Sequence, residues 1–219
     1  TGGWAHHITV DGLKVGNAGM DNGIYWKRDV SYADPLTWSS NFRSTGNHFV
    51  NMWITRGGGE GAYIGDTDSN GEIVTSTWSG QDTLIYPIFV DSTVISNNYV
   101  NLWGWDGLQL SGGRLGNEIY GNTVSDVGLD GEESQKCGIL AGGNTRANVY
   151  NNTIINATGN GIELFGFGSM SVSGNTITNS GEASIFANSY PTSENLTDPL
   201  QQLIITNNQI NNPPLDGAI

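Results

Sequence analysis

Ala147-Asn148-Val149-Tyr150-Asn151-Asn152-Thr153-Ile154-Ile155-Asn156, followed closely by Asn160-Gly161-Ile162-Glu163-Leu164, is the stretch that decides the fold. It reads as two short strands with alternating apolar residues, separated by an Asn/Gly corner. The phrase recurs: Asn122-Thr123-Val124 before Gly138-Ile139-Leu140, Asn175-Thr176-Ile177 before Ala183-Ser184-Ile185, and Asn208-Gln209-Ile210 before Gly217-Ala218-Ile219. Earlier members of the Asn column are Asn98-Tyr99-Val100 and Asn47-His48-Phe49, with Ile8-Thr9-Val10 as a degenerate copy. The Gly column begins with Gly23-Ile24-Tyr25-Trp26, Gly61-Ala62-Tyr63-Ile64 and Gly107-Leu108-Gln109-Leu110.

The spacing between members sets the architecture. From Asn98 the Asn column steps by 24, 30, 23 and 33 residues, and from Gly107 the Gly column steps by 31, 23, 22 and 34. A minimum step with variable excess is one structural turn plus loop insertions. The strands are short, alternate with period 2 and are rich in Val, Ile, Thr and Tyr, which excludes helical repeats. The Leu-x-x-Leu-x-Leu pattern of leucine-rich repeats is missing. The expectation is an all-β parallel β-helix, one solenoid domain over 1–219 of about seven coils, with Asn side chains at equivalent corners stacked as an amide ladder.

Composition agrees. The 219 residues include 32 Gly and 25 Asn, with only 13% charged residues, which suits many tight corners held by uncharged side chains. The net charge of −13 argues against nucleic-acid and anionic-membrane partners. It suits a soluble extracellular or cell-surface protein, or one that takes up Ca²⁺. Cys137 is the only cysteine, so no intrachain disulfide supports the fold. No apolar run is long enough for a membrane span.

The Asn-Thr-Ile/Val and Gly-apolar-x-apolar rungs resemble the right-handed parallel β-helix repeats of the pectin-lyase-like superfamily, most clearly from Asn98 to Ile219. Gly59-Glu60-Gly61-Ala62-Tyr63-Ile64-Gly65 also resembles a phrase in secreted β-helix proteins of Bacteroidetes type. The resemblance implies a right-handed coil; it leaves activity open among polysaccharide lyases, glycoside hydrolases, epimerases, tailspikes and adhesins. Both ends read as cut coils, so a longer solenoid, flanking domains or a protein partner is expected to cover them.

Insertions at 27–46, 65–91 and 187–202 leave the repeat at one corner, and long loops on one edge of a solenoid usually build its binding face. All seven Trp residues (4, 26, 38, 53, 78, 103 and 105) precede residue 106. Trp103 and Trp105, with Tyr25 and Tyr63, suit stacking on sugar rings, while Trp26 and Trp53 fit strand alternation and a core role. In the Gly column, the preceding residues are Asn22, Glu60, Asp106, Cys137, Asn160, Glu182 and Asp216. Glu60 and Asp106 on successive coils would lie roughly 5 Å apart, the separation of a retaining glycosidase pair or of shared Ca²⁺ ligands. They are the candidate catalytic residues; capping of neighbouring turns is the competing role.

Lys27, Arg28 and Arg56, with Arg43 and His48 nearby, are the candidate groups for binding substrate, and a lyase would need such cations beside a uronate. No lyase set matches well enough to be carried over, and the Asp-Asp and Gly-His-Gly phrases of polygalacturonases are absent. Asp66, Asp68 and Asn70, in Asp66-Thr67-Asp68-Ser69-Asn70-Gly71-Glu72-Ile73, resemble the first half of an EF-hand loop. Thr77 stands where the bidentate Glu would be. Two functions are therefore expected: recognition, with or without cleavage, of an extracellular polysaccharide or cell-surface glycan, or a non-catalytic adhesin or stalk segment acting as a rigid spacer.

Overall fold

Turning a chain every few residues requires backbone in the left-handed region, which Gly and Asn occupy most readily. In the computed structural model, Asn51, Asn97, Gly121, Asn151, Gly174 and Asn207 occupy one corner with φ between 54° and 65°. The structure describes residues 5–31, 33–68, 71–75, 80–166, 168–188 and 202–214. Trp4, Asn70, Thr77, Trp78, Asp216 and most of the 187–202 excursion lie outside the described residues.

Each coil holds three strands rather than the two columns expected from the sequence. The first sheet stacks Thr9–Asp11, His48–Val50, Val94–Ser96, Asn117–Tyr120, Ala147–Tyr150, Met170–Ser173 and Leu203–Thr206, all parallel. The second stacks Lys14–Gly16, Trp53–Gly57, Tyr99–Trp103, Thr123–Val127, Thr153–Ala157, Thr176–Thr178 and Gln209–Asn211. The third runs from Ile24–Trp26 through Ala62–Ile64, Leu108–Ser111, Ile139–Gly142 and Ile162–Phe165 to Ile185–Asn188. Only two residues separate a first-sheet from a second-sheet strand, so in the sequence the pair reads as one.

That short corner carries the ladder. Asn98, Asn122, Asn152, Asn175 and Asn208 are in line. Each Oδ1 from Asn122 onward accepts the backbone N–H and the Nδ2 of the preceding Asn at 2.9–3.0 Å. Each Nδ2 also donates to a first-sheet carbonyl of the preceding coil, as Asn152 does to Ile119 at 3.0 Å. Asn47 does not belong to this column. It precedes a first-sheet strand and donates to Ser44 Oγ at 2.8 Å, while Met52 takes the ladder place, its N–H donating to Asn98 Oδ1. Phe49 accordingly pairs with Ile95, not with Val100. Thr9–Asp11 is likewise a first-sheet strand.

Inside, apolar files from the three sheets meet: Phe49, Ile95, Ile119, Val149 and Val172 from the first; Ile54, Val100, Val124, Ile154 and Ile177 from the second; Leu108, Ile139 and Ile162 from the third. All are fully buried, and each lies in register with its neighbours in its own file, so burial and strand pairing reinforce each other. Trp103 joins this core at 0% exposure because its register partner is Gly57, where any Cβ would overlap the indole.

The first two excursions depart from the third-sheet end of adjacent coils, after Trp26 and after Ile64, and return at His48 and Val94. They hold each other through a parallel pair, Arg43–Thr45 with Phe89–Asp91. The second also carries a hairpin of Glu72–Thr75 with Asp82–Ile85. In the described part of the third excursion, the chain leaves the same corner after Asn188.

Candidate functional site

Outward side chains of the third sheet form a file in register: Tyr25, Tyr63, Gln109, Leu140, Glu163 and Phe186. Tyr25 and Tyr63 meet edge to face, ring centres 5.9 Å apart. At the exit end of these strands, Lys27 Nζ lies 2.8 Å from Asp29 and 3.6 Å from Asp66, and donates to Tyr63 Oη at 3.2 Å. Its ammonium also lies 4.5 Å from the Tyr63 ring centre. Burial opposes the charge, but the bond to Asp29 and the charge of Asp66 outweigh it, and the Lys27 pKa is raised. The crevice between the two excursions is lined by Trp26, Lys27, Arg28, Ser44 and Asp66 among others.

Asp66 is committed locally. Its Oδ1 accepts the N–H of Asp68, forming an Asx turn, and Lys27 stands beside its Oδ2. Asp68 is exposed, and Asn70 lies outside the described residues. Among the described residues no group of three or more His, Cys, Asp or Glu side chains is placed to hold a metal ion.

At the entry end of the same strands, Glu60 and Asp106 occupy successive coils, with Gly61 N–H donating to Asp106 O at 2.9 Å. The file is Asn22, Glu60, Asp106, Cys137, Asn160 and then Ala183. Glu182 falls one residue outside it and pairs with Lys136 at 2.7 Å instead. Neither acid lines an open cleft: Glu60 is 1% exposed and Asp106 0%. Asp106 Oδ1 accepts the Cys137 backbone N–H at 2.6 Å, which is a corner cap. Asn22 Oδ1 accepts the Glu60 backbone N–H at 3.1 Å. Cys137 is buried, and its thiol and the Asn160 amide both donate to Glu163 Oε2, at 2.9 and 2.8 Å.

Burial raises the pKa of both acids, and Asp106 is pushed up to about 8, with the charges of Glu60 and Glu163 adding to the effect against the Cys137 amide. Burial, then Asp106 and Glu163, push the Cys137 thiol up as well, so it is an inert thiol rather than a nucleophile. Glu60 Oε2, Asp106 Oδ2 and Gln109 Oε1 have no protein donor.

The remaining expected binding residues divide. Trp103 is core, unavailable to a sugar. Trp105 is half-buried and Arg56 exposed, both at the corner between the second and third sheets, away from Lys27. Arg28 is exposed and pairs with Asp34 at 3.3 Å. Trp53, read as a core candidate, is 50% exposed and lies against Tyr99, 4.4 Å between ring centres. Sequence reasoning missed Asp29 and Thr67, which hold Lys27 and the Tyr63 hydroxyl. It also missed the cluster in which the guanidiniums of Arg43 and Arg114 lie over Phe89, while Arg43 Nη1 and the Arg114 backbone N–H donate to Asp91. The placing of Asp29 two residues after Lys27 was the available signal.

The family described as a right handed beta helix region matches residues 6–218. No curated protein and no solved structure matches the chain. No helix in the described residues is long and apolar enough to cross a membrane.

Proposed function

The chain belongs to the right-handed β-helix family, and from that premise we propose that it is an extracellular or cell-surface module that binds a polysaccharide along the outer face of its third sheet. The observation that carries the reading is the Tyr25–Tyr63 pair, half-buried beside Lys27 where two long excursions leave adjacent coils. Aromatic edges, hydroxyls and one fixed ammonium on a rigid sheet suit contact with sugar rings at the Tyr25–Tyr63 end of this face, since Gln109 and Leu140 farther along it are buried.

The module recognises without cutting. A general acid must come within hydrogen-bond reach of the glycosidic oxygen. Glu60 and Asp106 are sealed into the wall, and one is engaged with a corner amide. Their raised pKa values follow from burial in a structural file. This burial favours non-catalytic recognition over a hydrolase built on Glu60 and Asp106.

Affinity electrophoresis through gels containing extracellular polysaccharides tests the proposal. Wild type should be retarded in at least one gel, and Tyr63→Ala should run nearly as in a blank gel while keeping its circular dichroism. Identical mobility of wild type in every gel would remove the reading.

A further inference from the structure

We propose that the glycan held at this face is uncharged, an inference that rests on the binding face assigned above. A polyuronate or sulfated chain requires cations free to meet its anionic groups, and the cations on this edge are already engaged. Lys27 is neutralised by Asp29 and Asp66. Arg28 pairs with Asp34 and Arg43 with Asp91, the latter at 2.8 Å. Arg114 donates through one nitrogen to the carbonyls of Gly143 and Asn144, at 2.6 and 3.1 Å, with its guanidinium over Phe89. An anionic sugar would meet Lys27, Arg28 and Arg43 only beside the carboxylates they already pair with, whose charge opposes it.

The wider field points the same way. A chain of net charge −13 repels polyanions over roughly a Debye length, about 8 Å at physiological salt. The same field attracts a polycation, but this face offers it few free carboxylates: Glu60 and Asp106 are buried, and Asp29 and Asp66 already flank Lys27. The uncharged groups on this face are hydroxyls and aromatic rings: Tyr25, Thr67 and Tyr63, whose Oη is oriented by Lys27 at 3.2 Å and Thr67 Oγ1 at 3.3 Å. These pair with sugar hydroxyls through uncharged hydrogen bonds, which salt screens little.

Affinity electrophoresis of the whole chain against a neutral glucan, a polygalacturonate with and without added Ca²⁺, and chitosan, each at low and high NaCl, tests the inference. The expected result is retention by the neutral polymer with an affinity that changes less than about twofold with salt, and affinity for both charged polymers at least tenfold weaker. Retention by polygalacturonate, in either Ca²⁺ condition, or by chitosan at equal or greater strength overturns the inference while leaving the binding reading intact. Retention by none of the three, nor by any other polysaccharide, removes both.

Discussion

The carboxylate of Asp106 caps the Cys137 backbone N–H at 2.6 Å from the adjacent coil, and does so with no exposure to solvent. Burial of this acid ties stability to pH. Its folded pKa of about 8 lies above the unfolded carboxylate value of about 3.9, so the native state holds a proton that the unfolded chain has released. The stability it contributes is fully present below pH 4 and is lost as pH rises through 8. Glu60, also raised, acts in the same direction. Urea unfolding from pH 5 to 9 should give midpoints that fall with pH, and Asp106→Asn should flatten much of that slope. Parallel slopes in the two proteins would show that Asp106 does not titrate in this range.

Removing a rung of the buried ladder should cost far more than removing an exposed amide. Asn152→Ala strands the N–H and Nδ2 of Asn122 on one side and removes the Nδ2 donor to Ile119 O and Asn175 Oδ1 on the other, leaving Asn175 Oδ1 only the backbone N–H of residue 152. A loss of about 3–5 kcal/mol is expected. Asn148→Ala removes only the exposed bond that Asn148 Oδ1 accepts from Ser171 Oγ and should change stability by less than about 1 kcal/mol. Equal losses in chemical denaturation would reduce the ladder to ordinary surface bonding.

A second left-handed column runs through the second sheet: Arg56, Leu102, Asp126, Asn156 and Asn179 have φ between 54° and 63°. Leu102 is the member least suited to that backbone, since its Cβ crowds the carbonyl there at a cost of roughly 1–2 kcal/mol. Leu102→Asn, the residue later coils use, should raise the thermal midpoint by a few degrees. A fall would mean that leucine packing outweighs the backbone strain.

The alignment of these columns shows how much could be read in advance. The coil period, the Asn ladder from Asn98 onward and the third-sheet file from Tyr25 to Glu163 were all legible, because each depends on local alternation and on a corner that only a few residues tolerate. The first sheet was hidden because its strands, such as Asn117–Tyr120, lack a marker residue and sit two residues from the next strand. Asn47 misled because an Asn before an apolar residue is the same local signal at either corner. The site was less legible. Whether Glu60 and Asp106 face solvent, and whether Trp103 or Trp53 enters the core, depends on side chains from other coils, Gly57 above all.

Glycines of the third-sheet column serve packing between coils rather than turn geometry. A Cβ on Gly138 would lie 2.5 Å from Ile154 Cγ2 and 2.6 Å from the Gly161 carbonyl. Gly138→Ala should therefore destabilise by about 1–3 kcal/mol, measurable by denaturation, although alanine is otherwise the gentler residue for a strand. A neutral or stabilising effect would show that neighbouring coils can spread without loss.

The central claim, recognition of an uncharged glycan without cleavage, is most directly tested by size-exclusion chromatography with light scattering after prolonged incubation of the protein with a neutral polysaccharide that retards it. The account predicts that protein co-elutes with polymer of unchanged molar mass, for wild type and for Glu60→Gln alike. A progressive fall in polymer mass with wild type, abolished by Glu60→Gln or Asp106→Asn, would contradict it and make the buried pair catalytic.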